Sequence, residues 1–195
     1  MASSIHLARV VGLLTLLAAP ASPAQVPTQA LPDSRFALDG PPVVVRLLPR
    51  TPAQMAAFYE ARGFSDAAVR AMTEQACFIT VVLRNESDTI LWLVPAEWTF
   101  RAGETRVPRL ARAQWEGLWE RLAVPQAQRS TFGWTLLPES RDLHPGEPVG
   151  GNVTLAGLGT TLTIQARFPT GADASGGPVT IEFDGVPCPA AEATP

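Results

Sequence analysis

Ala76-Cys77-Phe78-Ile79-Thr80-Val81-Val82-Leu83-Arg84-Asn85 is the stretch that decides the fold. Ahead of it the apolar residues recur with a helical period; from Ala76 they alternate. Successive side chains of an extended chain point to opposite faces. Cys77, Ile79, Val81 and Leu83 therefore point one way, and Phe78, Thr80, Val82 and Arg84 the other. Asn85-Glu86-Ser87-Asp88 reads as a polar turn and residues 89–94 are apolar again, so the segment predicts the first core β-hairpin.

On the N-terminal side, residues 43–48 are β-branched and aliphatic, bounded by prolines, and predict a strand. Thr51-Pro52-Ala53-Gln54 announces a helix: Thr51 can cap the open N–H groups, Pro52 suits the first turn and Gln54 can complete a capping box. Gly63 is a left-handed stop, and Ser65 caps a second helix running to about Gln75. Met55, Phe58, Tyr59, Val69 and Met72 of this helical hairpin can cover one edge of a core.

On the C-terminal side, residues 97–101 and 105–110 predict a second hairpin, with Pro108 sending its last strand to a sheet edge. Residues 111–123 interrupt as a helix, since Trp115, Leu118, Trp119 and Leu122 share one face. Arg112 and Glu116 are spaced to pair on the other side, and Gly117 makes the helix depend on tertiary packing. Strands are predicted at 130–137, 152–155, 160–168 and 179–183, with the glycine-rich 171–177 joining the last two. Many short strands and few helices predict a mainly β chain, an antiparallel sandwich with an N-terminal helical hairpin and one inserted amphipathic helix.

Two motifs carry a resemblance. Leu143-His144-Pro145-Gly146-Glu147-Pro148-Val149-Gly150-Gly151-Asn152-Val153-Thr154-Leu155 resembles a turn-and-strand element of secreted bacterial immunoglobulin-like domains, which often show L-x-P-G-E-x-x-x-G before a late strand. Val81-Val82-Leu83-Arg84-Asn85-Glu86-Ser87 is similar to their early strand followed by an Asn-x-Ser turn. The resemblance implies an immunoglobulin-like sandwich and brings no activity with it. The helical hairpin and the tryptophan helix depart from the plain domain.

Residues 1–24 read as a cleavable export signal: Arg9, then an apolar run broken by Pro20, then Ser22-Pro23-Ala24. The apolar run is about half the roughly 20 residues a membrane-spanning helix needs. Residues 25–40 read as a flexible leader and 41–190 as a single domain with helical insertions at 52–75 and 111–123. The expected location is periplasmic or secreted, with no stable membrane span after cleavage. In such an oxidising compartment the only two cysteines, Cys77 and Cys188, pair as a structural disulfide across 111 residues. All 15 basic residues are Arg; losing Arg9 leaves 14 against 18 acidic side chains, which argues against a nucleic-acid partner.

Candidates for chemistry are few. His144, with Glu139, Asp142 and Glu147 nearby in sequence, could act as a general base or polar site, or could simply occupy an exposed turn. No G-x-S-x-G, zinc-ligand set, calcium loop or phosphate-cradling loop occurs, so neither a metal nor a cofactor is expected. Arg101, Arg106, Arg109 and Arg112 could form a basic strip, or could guard a sheet edge. Of the five tryptophans, Trp92, Trp115, Trp119 and Trp134 fall in core patterns, and Trp98, beside Pro95 at a strand start, is the candidate to check for exposure. Asn85-Glu86-Ser87 and Asn152-Val153-Thr154 match glycosylation sequons. The expectation is an exported, non-enzymatic protein binding another protein or a cell-envelope component through the Trp helix and arginine strip. The alternative is a carbohydrate-binding or hydrolytic envelope protein using Trp98 and the 139–147 carboxylates.

Overall fold

The computed structural model describes residues 42–190 and the backbone of Ala37–Leu38, so the export signal and most of the leader lie outside the described residues. The chain is mainly β, with antiparallel sheets and a few helices. Its elements in order are β1 (Ala37–Leu38), β2 (Val43–Arg50), α1 (Pro52–Glu60), α2 (Asp66–Gln75), β3 (Ala76–Asn85), β4 (Leu91–Leu93) and β5 (Thr99–Ala102). There follow β6 (Thr105–Arg106), α3 (Arg112–Arg121), α4 (Gln126–Thr135), β7 (Arg141–Leu143), β8 (Pro148–Ala156), β9 (Thr160–Thr170) and β10 (Gly176–Cys188). One sheet runs β1-β2-β3-β8. The other runs β6-β5-β9-β4-β7, with β10 pairing along β9.

The alternation of β3 sorts its side chains between two clusters. Cys77, Ile79, Val81 and Leu83 share one with Ile164 and Phe168 of β9 and Phe183 and Val186 of β10, so the two sheets bury their inner faces together. Across this interior Cys77 is bonded to Cys188 at the end of β10, with Cα atoms 5.4 Å apart. In the chain-entropy view, closing a loop of this length stabilises by up to about 4–5 kcal/mol. Phe78 points the other way, into a second cluster formed by all four helices. There the Phe132 ring lies 4.9, 5.0 and 5.5 Å from those of Trp115, Trp119 and Tyr59. Tilted and edge-to-face contacts of this kind add to the area they bury.

Local chemistry accounts for the helix ends. The Thr51 hydroxyl accepts from Gln54 N–H while the Gln54 side chain accepts from Thr51 N–H, the reciprocal cap the sequence predicts. Gly63, at φ +78°, takes the left-handed turn after α1. Trp115 Nε1–H donates to the Thr154 hydroxyl at 2.9 Å, which donates to Leu110 O at 2.7 Å, fastening α3 to β8.

Four expectations are corrected. Residues 85–94 form no hairpin, because β3 and β4 belong to different sheets. The buried Asn85 side chain makes the crossing, donating to Thr89 O and Leu143 O at 2.8 Å while its oxygen accepts from Ser87. That sequon is therefore internal. Residues 130–137 are mostly helix, not strand: Phe132 and Leu136, four apart, enter the helical cluster. The 97–101 strand begins only at Thr99, and β6 is two residues long. Pro108 offers no N–H to continue pairing; instead its carbonyl accepts from Ala156, and residues 108–110 run along the outer edge of β8. Finally, Arg112 donates to Gly133 O at 2.8 Å rather than pairing with Glu116, which meets Arg129.

Replacing Asn85 by Ala would strand the buried Leu143 carbonyl, at about 1–3 kcal/mol for an unsatisfied group, while Thr89 O keeps the Ser87 hydroxyl as donor. Urea unfolding of Asn85→Ala should show a loss of roughly 1–3 kcal/mol. A loss below about 0.5 kcal/mol, usual for surface substitutions, would show that the crossing does not depend on this side chain.

Candidate functional site

The helices cover only part of the outer face of the four-stranded sheet. Along β3, Phe78 pairs with Arg50 and Thr154, Thr80 with Leu48 and Asn152, and Val82 with Arg46 and Gly150. Phe78 and Thr154 lie under the helical layer, whereas Val82 is 40% exposed. At this boundary lies a groove of about 550 Å³, inside the usual range of roughly 300–1,000 Å³ for small-ligand sites. Arg50, Thr80, Gly150, Gly151 and Asn152 form its sheet side; Gln54, Met55 and Phe58 of α1 and Trp134 and Thr135 of α4 form its helical side.

The orientation of α4 sets the lip. Phe132 and Leu136 face the core, which turns Trp134 outward, and its side chain is 89% exposed. The Arg112 guanidinium lies against Gly133, where a Cβ would come within 2.5 Å of Nη1 and would have to displace it. Beneath, Tyr59 and Thr135 oxygens are 2.7 Å apart. The single Thr135 proton goes to Phe132 O at 2.7 Å, which makes the Tyr59 hydroxyl the donor between them. On the other wall, Arg62 stacks over the half-exposed Phe58 ring, 3.4 Å from its centroid.

A hydrogen-bond relay fixes the polar side chains. Arg50 Nε–H donates to the Thr80 hydroxyl at 2.9 Å, and that hydroxyl donates to Asn152 Oδ1 at 2.7 Å. The Gln54 oxygen is spent on the Thr51 cap. The outer strand edge of β8 is already taken, since Leu137 N–H donates to Asn152 O at 3.0 Å. A Cβ on Gly151 would come within 2.5 Å of Leu137 N.

The sequence-predicted candidates fall elsewhere. Trp98, the candidate for exposure, is only 3% exposed, and the exposed tryptophan is Trp134. Trp98, Arg106 and Arg109 do line one smaller hollow of about 360 Å³ with Pro95, Phe100 and Val107. The arginine strip is largely engaged in internal contacts. Arg101 pairs with Glu104 at 2.9 Å, Arg109 holds Glu139 through bonds of 2.5 and 3.2 Å, and Arg112 binds Gly133. Burial alone would push the Glu139 carboxyl up, but the Arg109 side chain and the Arg112 N–H outweigh it and hold it below its ordinary value. Glu139 is thus tied to the arginines, while Asp142, His144 and Glu147 form a separate exposed set. There His144 Nε2 lies 3.5 Å from Asp142, and Glu147 accepts from His144 N–H and from Arg141. Those two bonds lower the Glu147 carboxyl, the His144 N–H first. Among the described residues no group of three or more His, Cys, Asp or Glu could hold a metal ion, and no helix is long and apolar enough to cross a membrane.

No family model and no curated protein matches the chain. A solved structure of a Bacillus subtilis protein described as a "putative lipoprotein" matches it in part, at 13% identity and a TM-score of 0.44. The match covers 78% of this chain and 39% of that one, so the chain spans well under half of that protein's length.

Burial pushes the Tyr59 hydroxyl up from 10.0 to about 12, against the opposing charge of Arg62. Folding favours the neutral phenol, so this contribution is complete below the unfolded value near 10 and is lost as pH rises through about 12. The shift corresponds to roughly 3 kcal/mol. Denaturant titrations across that window should show wild-type stability falling by about that much beyond Tyr59→Phe; parallel pH profiles would mean that Tyr59 titrates normally.

Proposed function

We propose that this chain is an exported, non-enzymatic binding protein of the cell envelope, built on an immunoglobulin-like sandwich, with the groove beside Trp134 as its contact surface. Two antiparallel sheets stapled face to face by a disulfide support the sandwich, and a bridge between distant cysteines suits an oxidising compartment outside the cytoplasm. The export signal read at 1–24 points the same way.

The observation that carries the reading is Trp134. A ring 89% exposed at the lip of a groove contributes little to the core. It offers a large rigid surface at low entropic cost, which is what binding anchors supply. The groove joins this ring to Arg50, Gln54, Thr80 and Asn152, a mostly apolar cleft with a few convergent polar groups. This moves the expected contact surface away from the Trp helix, whose Trp115 and Trp119 are buried.

Trp134→Ala should leave the melting temperature nearly unchanged, since an exposed side chain away from the core contributes within about 0.5 kcal/mol. The same variant should lower co-sedimentation with isolated cell-envelope material by about tenfold or more. Equal retention of the two proteins would remove the groove as the contact surface.

A further inference from the structure

The groove has an unbalanced inventory of donors and acceptors. The Thr80 hydroxyl is used in both senses, accepting from Arg50 and donating to Asn152. This fixes the Asn152 amide with its oxygen satisfied and its NH₂ unspent, and the Thr51 cap does the same to Gln54. Both Nη groups of Arg50 also lack an acceptor among the described residues. Three side chains therefore present N–H groups to one space, and each of the two amide oxygens already accepts one bond. Among the described residues Arg50 is the one charged residue lining that space, and no carboxylate lines it. Arg62, stacked on Phe58 of the same wall, adds a second positive charge nearby in a chain of net charge −3.

Such a site is complementary to an acceptor-rich anion. A guanidinium fork matches a carboxylate through two parallel hydrogen bonds, with amide donors on its remaining lone pairs. Trp134 and Phe58 beside it suit the flat apolar face of a ring. A peptide bound as an added strand would need an unpaired sheet edge, and here the edge of β8 from Asn152 to Ala156 is occupied by residues 108–110 and 136–137. We infer that the groove takes a saccharide bearing carboxylates, with a sugar ring against Trp134 and its carboxylate on Arg50. This inference rests on the groove being the contact surface.

The test is calorimetric titration of the mature protein with three probes: a short oligogalacturonate, its carboxyl-reduced neutral counterpart, and an acidic peptide of matched charge. Wild type should bind the uronate at least about tenfold tighter than the neutral sugar, as expected for a charge-assisted pair. Arg50→Gln should abolish that preference, Arg50→Lys should restore part of it by returning the charge without the fork, and Trp134→Ala should weaken both sugars. Melting temperatures of all variants identify any that do not fold, and the probe comparison on wild type needs no variant. Equal affinity for the two sugars would overturn the carboxylate claim while leaving the groove as contact surface. Preference for the peptide, or no binding by any probe while envelope retention still depends on Trp134, would overturn the saccharide alone. Uronate binding untouched by Trp134→Ala would overturn both.

Discussion

Strand β3 must satisfy two different neighbours at once, and the molecule is arranged around that demand. Cys77, Phe78 and Ile79 are each 1% exposed, although successive residues point to opposite faces. One face is met by the second sheet and locked there by the disulfide to Cys188. The other face is met by four helices that gather around Phe78. They do not extend along the whole strand. By Val82 the outer face is open, and the groove is the step between covered and bare sheet.

The polar contacts follow the same division. Arginines that look in sequence like an outward strip instead join elements: Arg109 to Glu139 and Arg112 to Gly133. Arginine placed this way fixes geometry through several directed donors, whereas isolated exposed ion pairs contribute little. Arg50 is the contrast. It is held by one bond to Thr80, which aims the guanidinium without consuming it.

What could be read from the sequence depended on whether the signal was local. The alternation of β3, the Thr51–Gln54 cap, the glycine stop at Gly63 and the buried face of the Trp helix need only neighbouring residues to be recognised, and each stands in the structure. The Cys77–Cys188 pairing was legible because only two cysteines exist. Helix α4 was not legible: its apolar residues are few, Ser130 to Trp134 contains β-former residues, and its position is set by Gly133 meeting Arg112 from another helix. The exchange of roles between Trp98 and Trp134 follows from that error. A strand assigned to 130–137 places Trp134 in the core, and a helix there turns it out. The groove was equally hidden, since its sides come from β2, α1, β3, α4 and β8, which only the fold brings together.

The claim on which the rest turns is that Trp134, alone among the five tryptophans, is fully open to solvent beside the groove. Iodide quenching of intrinsic fluorescence measures this directly. The account predicts one strongly quenched component that disappears in Trp134→Phe and persists in Trp98→Phe. A strongly quenched component that survives Trp134→Phe, or that is lost in Trp98→Phe, would contradict it.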